Sequence, residues 1–131
     1  MIEPMQLLPR LRIPLLVMLV VLWAAALTAT HLPPKDVPEV GVSDKVEHVV
    51  GFLGLAGIFI VTLTASGVSL PARVTLTMVI MPIYAALDEL TQPPFGRECD
   101  IYDWTADLCG TLTAILAWEV FLAIWHRAIR K

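Results

Sequence analysis

Residues 88–107 read DELTQPPFGRECDIYDWTAD, and this stretch joins two long apolar runs of the chain. It contains six acidic residues and one arginine, Arg97. Placing an ionisable side chain at membrane depth costs roughly 2.5–3.5 kcal/mol on insertion scales, so such residues usually have a partner or a task. The stretch therefore predicts a boundary between two membrane helices, and it is where we look for function.

The composition points to a membrane protein. With 57% hydrophobic residues and a mean hydropathy of +0.76, the chain exceeds the roughly 45–50% apolar content of soluble domains. Its 131 residues predict a single domain, 1–131. The sequence has no basic stripe interleaved with aromatic residues, so we expect the lipid bilayer as a partner and no nucleic acid.

Four apolar stretches have close to the 20 residues or so that a helix needs to cross a bilayer. They cover about residues 13–30, 46–65, 70–90 and 101–125. Ser69 fits the N-cap of the third helix and Pro71 its first turn. The predicted fold is all-α, an integral membrane four-helix bundle.

Lysine and arginine are distributed unequally between the two sides of this bundle. Six lie on the side of the termini (Arg10, Arg12, Arg73, Arg127, Arg130 and Lys131) and three on the other (Lys35, Lys45 and Arg97). By the positive-inside rule, both termini are expected in the cytoplasm, with loops 31–45 and 91–100 outside. The alternative is that the first run is a cleaved signal peptide, which would leave three spans in conflict with the charge bias.

The fourth helix carries a polar face. Asp100, Asp103, Asp107 and Gly110 are spaced by 3, 4 and 3 residues, so they share one side of a helix. Lipid would not solvate such a face, and we expect it to turn toward other helices.

The second helix has a matching face. Asp44 and His48 are four residues apart, and Gly51, Gly54 and Gly57 follow as a ridge of small residues that favours close helix contact. Packing helices two, three and four together would gather His48, Glu89, Asp103 and Asp107 near Arg97. His48 can exchange protons near neutral pH, and arginine can bind a carboxylate or phosphate.

Each of these residues also has a structural interpretation. Asp44 can act as an N-cap with Glu47 completing a capping box. Arg97 can form an ion pair with Asp103 or Asp107. Asp88 can be solvated at the membrane interface, and Asp100 can be an ordinary loop acid.

The order of these motifs resembles the VanZ-like family of small bacterial membrane proteins. The resemblance covers roughly residues 40–115 and rests on Asp44-Lys45-x-x-His48, Glu89-x-x-Gln92, Phe95-Gly96-Arg97 and Asp103-x-x-x-Asp107-x-x-Gly110. It implies a four-helix protein of the bacterial cytoplasmic membrane, and the founding member is linked to low-level resistance to teicoplanin, a glycopeptide antibiotic. The predicted ligand-binding residues are Asp44, Lys45, His48, Glu89, Gln92, Arg97, Asp103 and Asp107.

Three functions fit this pattern. In the first, an outer-face site binds or acts on a cell-envelope or lipid-linked ligand; Lys45 and Arg97 hold an anionic group, and His48, Glu89 or Asp103 transfers a proton. In the second, the chain is a component of proton-coupled transport, which would require an oligomer. In the third, the cluster is a purely structural ion-pair network. We expect no cofactor; a divalent cation on Glu89, Asp103 and Asp107 is chemically possible, but the spacing alone does not predict a metal site.

Overall fold

The computed structural model describes residues 8–37 and 41–130, and the structural statements below concern these residues. They form four α-helices and no strand. The helices are α1 (Arg12–His31), α2 (Asp44–Ala65), α3 (Leu70–Thr91) and α4 (Ile101–Ile129), with a 3-10 turn at Leu8–Leu11 before α1. Lys131, counted in the charge bias, and residues 1–7 of the predicted domain lie outside the described residues.

All four helices are long and apolar enough to cross a membrane. The shortest, α1, has 20 residues and spans about 30 Å, the thickness of a bilayer core. Their outer surfaces expose large apolar side chains, for example Ile13, Val20, Leu90 and Ile124. The prediction of an all-helical fold with four helices long and apolar enough to cross a membrane is confirmed for the described residues.

The helix ends follow the sequence signals only in part. Ser69 is the N-cap of α3 and a proline lies in its first turn, as predicted. The prediction that Asp44 caps α2 is wrong, because Ser43 occupies that position and Asp44 is already helical. Asp100 is the N-cap of α4 and accepts a hydrogen bond from the Tyr102 backbone N–H at 2.8 Å.

Helix α2 lies at the centre of the packing. It pairs most extensively with α4 and also contacts α1 and α3. The helices bury a core rich in small and flexible side chains: Phe52, Leu55, Ala56, Met81, Ala85 and Ala114. Small residues allow the helix backbones to approach one another closely.

The closest approach of α2 and α4 occurs at Gly110. A Cβ on this residue would lie 2.4 Å from the Val49 carbonyl oxygen and 2.9 Å from the Leu53 nitrogen. The ridge expected to make close contact, Gly51, Gly54 and Gly57, has no neighbouring atom within 4 Å of a Cβ. The small residue that brings the helices together is therefore on α4, and the glycine ridge of α2 does not pack against a neighbouring helix.

Helices α1 and α3 end, and α2 and α4 begin, at the same end of the bundle. We call it the polar end, because it contains the buried acidic residues Asp88, Glu89, Asp103 and Asp107. The opposite end contains the Arg73–Glu119 ion pair.

Candidate functional site

His48 lies at the centre of the polar end, one turn into α2. Its Nδ1 donates a hydrogen bond to Oδ1 of Asp107 at 2.9 Å. Its Nε2 lies 4.0 Å from Oε1 of Glu89 and 3.9 Å from Oδ1 of Asp44. At least one carboxylate therefore lies near each nitrogen of the imidazole, and the three carboxylates come from three different helices.

Lys45 joins the start of α2 to the start of α4. Its Nζ donates to Oδ2 of Asp100 at 2.6 Å and also to Oδ1 of Asp103. The hydrogen bond from Lys45, assisted by the backbone N–H of Tyr102, holds the pKa of the Asp100 carboxyl below its usual value. Asp100 is thus part of the site and not an ordinary loop acid.

The last turn of α3 provides Glu89 and Gln92, both buried. Oε2 of Glu89 accepts the Asp100 backbone N–H at 3.0 Å, which links the end of α3 to the start of α4. Gln92 donates to Asp88 at 3.1 Å, and Asp88 also accepts from the Thr30 hydroxyl of α1 at 2.9 Å. The interpretation of Asp88 as a solvated interfacial acid is wrong, because its residue surface is only 3% exposed.

Arg97 binds backbone and not an acid. It follows Gly96, whose φ of 78° is in the left-handed region that favours glycine. Its Nε donates to the Leu32 carbonyl at 3.0 Å, and its Nη2 donates to the Ala29 carbonyl at 3.3 Å. The expected ion pair with Asp103 or Asp107 is absent among the described contacts, and Arg97 instead satisfies carbonyls at the C-terminal end of α1.

The charges of this region do not balance. Five carboxylates surround His48 and Lys45: Asp44, Glu89, Asp100, Asp103 and Asp107. Lys45 supplies one positive charge and His48 at most one more. The cluster around these two residues therefore carries an excess of negative charge, which attracts cations.

Three polar atoms near this cluster are buried and have no hydrogen-bond partner. They are Oδ2 of Asp107, the Thr111 hydroxyl one turn further along α4, and the Tyr84 hydroxyl on α3. A buried polar atom without a partner costs about 1–3 kcal/mol, so native structures rarely keep one without a ligand, ion or water.

Two cavities open at the polar end. One, of about 450 Å³, is predominantly polar and is lined by residues that include Lys45, Asp100 and Asp103. The other, of about 190 Å³, is a predominantly apolar groove between α1 and α2, lined by Ala26, Gly51 and Leu55 among others. Both cavities are lined by Asp44, His48 and Arg97.

The structure brings the eight predicted ligand-binding residues to the same end of the bundle. Sequence reasoning did not assign Asp100, Tyr84 or Thr111 to the site. The 3–4–3 spacing contained the signal for Asp100, and Thr111 follows Asp107 by one turn. Tyr84 gave no comparable signal, because only the packing of α3 places its hydroxyl near the acids of α4.

Comparisons with protein-family models, with curated proteins and with solved structures each return no significant match.

Proposed function

We propose that the chain is a VanZ-like membrane protein that binds a lipid-linked or other amphiphilic cell-envelope ligand at the polar end. The ligand's head group occupies the polar cavity and its chain lies in the apolar groove between α1 and α2. The proposal includes a bacterial cytoplasmic membrane with both termini in the cytoplasm, so that the polar end faces outward.

The observation that carries the proposal is that the two cavities adjoin and share Asp44, His48 and Arg97 in their walls. An amphiphile needs a polar site for its head and an adjacent apolar surface for its chain, and these two cavities provide them side by side. Gly51 supports this assignment, because no atom lies within 4 Å of a Cβ there and the groove stays open.

The positive-inside bias supports the orientation, and the motif order of residues 40–115 supports the family. A role in glycopeptide resistance rests on that resemblance alone. Proton-coupled transport has less support, because the buried acids are confined to the polar end, while Glu119 at the opposite end is paired with Arg73.

The experiment is native mass spectrometry of protein purified from a bacterial membrane in mild detergent. We expect the wild type to retain a lipid mass and Gly51→Leu to lose it, because leucine would fill the groove without displacing backbone. Gly54→Leu is the matched control, since Gly54 is also open around its Cβ but does not line the groove.

Equal lipid retention by the two leucine variants would place the lipid elsewhere on the surface and contradict the proposal. A folded wild type that retains no lipid would favour the purely structural ion-pair network.

A further inference from the structure

We propose that His48, Glu89 and Asp107 form a binding site for a divalent transition-metal cation of the zinc or manganese class. The site lies between α2, α3 and α4. Glu89 and Asp107 line neither cavity of the lipid proposal, and His48 is the one residue that the two sites share.

The geometry of the three side chains suits a small cation. One ligand atom of each lies within 4.8 Å of the ligand atoms of the other two. Metal–ligand bonds of about 2.0–2.2 Å to imidazole nitrogen and carboxylate oxygen place tetrahedral ligand atoms roughly 3.4 Å apart. Side-chain rotation alone can supply the remaining approach.

His48 is already oriented as a metal-ligating histidine usually is. Such histidines direct one ring nitrogen at the metal while the other donates to a carboxylate or carbonyl. Here Nδ1 lies 2.9 Å from Asp107 and Nε2 lies 4.0 Å from Glu89. If Nδ1 binds the cation together with Asp107, Nε2 keeps a carboxylate neighbour outside the ligand group, because Oδ1 of Asp44 lies 3.9 Å from it.

The burial of Asp107 is an independent observation that points to a bound cation. Its side chain is 1% exposed and its Oδ2 has no hydrogen-bond partner. A buried carboxylate with an unpartnered oxygen, inside a helix of membrane-spanning length, is unfavourable unless a proton or a cation compensates it.

The surrounding charges favour a cation over a proton. Asp44 and Asp103 form a second group of possible ligands with His48. Lys45 compensates only part of the negative charge of Asp100 and Asp103, and Arg97 binds backbone carbonyls. A divalent cation would offset two of the remaining charges at once.

The donor set also selects the class of cation. Carboxylates suit Ca²⁺, Mg²⁺ and Mn²⁺, whereas imidazole suits Zn²⁺ and other transition metals more than Ca²⁺ or Mg²⁺. One imidazole with two carboxylates is therefore best suited to Zn²⁺ or Mn²⁺, and Ca²⁺ is the discriminating probe.

The test is calorimetric titration of the full chain in mild detergent, after removal of metals with a chelator, with Zn²⁺, Mn²⁺ and Ca²⁺ salts. We expect saturable binding of one Zn²⁺ or Mn²⁺ per chain and at least tenfold weaker binding of Ca²⁺. Glu89→Gln and Asp107→Asn should each reduce the affinity at least about tenfold, because even the loss of a residue that only hydrogen-bonds to a metal ligand typically costs about 10–100-fold.

Asp88→Asn is the matched control. Asp88 is as buried as Glu89 and adjacent to it on α3, but its oxygens are held by Thr30 and Gln92 and it belongs to neither ligand group. A loss of affinity in Asp88→Asn equal to that in Glu89→Gln would overturn the site. So would a wild type that binds none of the three cations.

X-ray absorption spectroscopy of the Zn²⁺-loaded wild type covers the case in which the variants do not fold. It should show one imidazole and oxygen neighbours at about 2.0–2.2 Å. An oxygen-only shell, or sulfur from Cys99 or Cys109, would also overturn the proposal. Loss of lipid in Gly51→Leu with unchanged metal affinity would separate this site from the amphiphile site.

Discussion

The two ends of the bundle bury charge in different ways. At the opposite end, Arg73 and Glu119 form a two-pronged pair, with Nε to Oε1 at 2.7 Å and Nη2 to Oε2 at 2.6 Å. Their side chains are only 11% and 18% exposed, and one positive charge meets one negative charge. At the polar end, five carboxylates meet one lysine and one histidine, and three nearby polar atoms have no partner.

Because of this difference we interpret Arg73–Glu119 as a structural ion pair and propose the polar end as the binding site. The Arg73–Glu119 pair is complete, because each guanidinium edge and each carboxylate oxygen used in it has its partner. The opposite end has one buried polar atom without a hydrogen-bond partner, the Trp125 Nε1, but its charges balance, whereas the polar end is incomplete in both charge and hydrogen bonding.

The largest effect that we predict is at the opposite end. Arg73→Ala leaves the Glu119 carboxylate, whose side chain is only 18% exposed, without a counter-charge, which should lower the free energy of unfolding by about 3 kcal/mol, the lower end of the range for a buried pair. The measurement is reversible unfolding in mild detergent, followed by circular dichroism. Metal affinity at the polar end should stay unchanged in the fraction that remains folded.

Glu89→Gln is the comparison variant at the polar end. The glutamine oxygen can still accept the Asp100 N–H, and one of the excess negative charges is removed. We expect a change in the free energy of unfolding below about 1.5 kcal/mol, the scale of a single hydrogen bond. A loss as large as that of Arg73→Ala would mean that the polar end is also a structural ion-pair network.

The features that the sequence predicts well are those set by local chemistry. Four apolar runs, with Ser69 and Pro71 at the start of α3, specify helices whatever their neighbours are. The i, i+3, i+4 spacing also places Asp100, Asp103 and Asp107 on one face of α4. These properties depend on residues close in sequence, so no knowledge of packing is needed to recognise them.

Sequence reasoning was less successful where the partner lies far along the chain. Arg97 was expected to face acids, but its partners are backbone carbonyls of Ala29 and Leu32, which carry no sequence signal. The prediction that the glycine ridge of α2 makes close helix contact was wrong for a similar reason. A run of small residues shows where close contact is permitted, but not which helix lies opposite.

Gly110 allows a further prediction, because it sets the distance between the helices that hold His48 and Asp107. In Gly110→Ala the new Cβ meets the Val49 carbonyl and the Leu53 nitrogen, which are backbone atoms that cannot rotate away. Forced separation of α2 and α4 should cost about 1–3 kcal/mol. Unlike Arg73→Ala, this variant should also weaken Zn²⁺ or Mn²⁺ binding, as measured by calorimetry.

Gly54→Ala is the control for this change. It adds the same methyl group to α2 in open space, where the higher helix propensity of alanine should leave the protein equally or slightly more stable. Equal destabilisation by both substitutions would show that the contact at Gly110 does not set the helix spacing.

The smallest effect concerns the exposed rim of the polar end, where Lys45 and Asp100 have side chains 44% and 33% exposed. Solvent screens such a pair, so it contributes much less to the free energy of unfolding than the Arg73–Glu119 pair does. Because folding lowers the pKa of Asp100, the contribution is present above the unfolded pKa of about 3.9 and is lost as the pH falls through the folded value. Asp100→Asn should therefore unfold at a lower temperature than the wild type at pH 7, and the two unfolding temperatures should converge under more acidic conditions. If the difference in unfolding temperature between Asp100→Asn and the wild type stayed constant from pH 7 to pH 3, the loss of stability would not come from the ionised carboxylate. The difference between the two ends of the bundle would then rest on the buried acids alone.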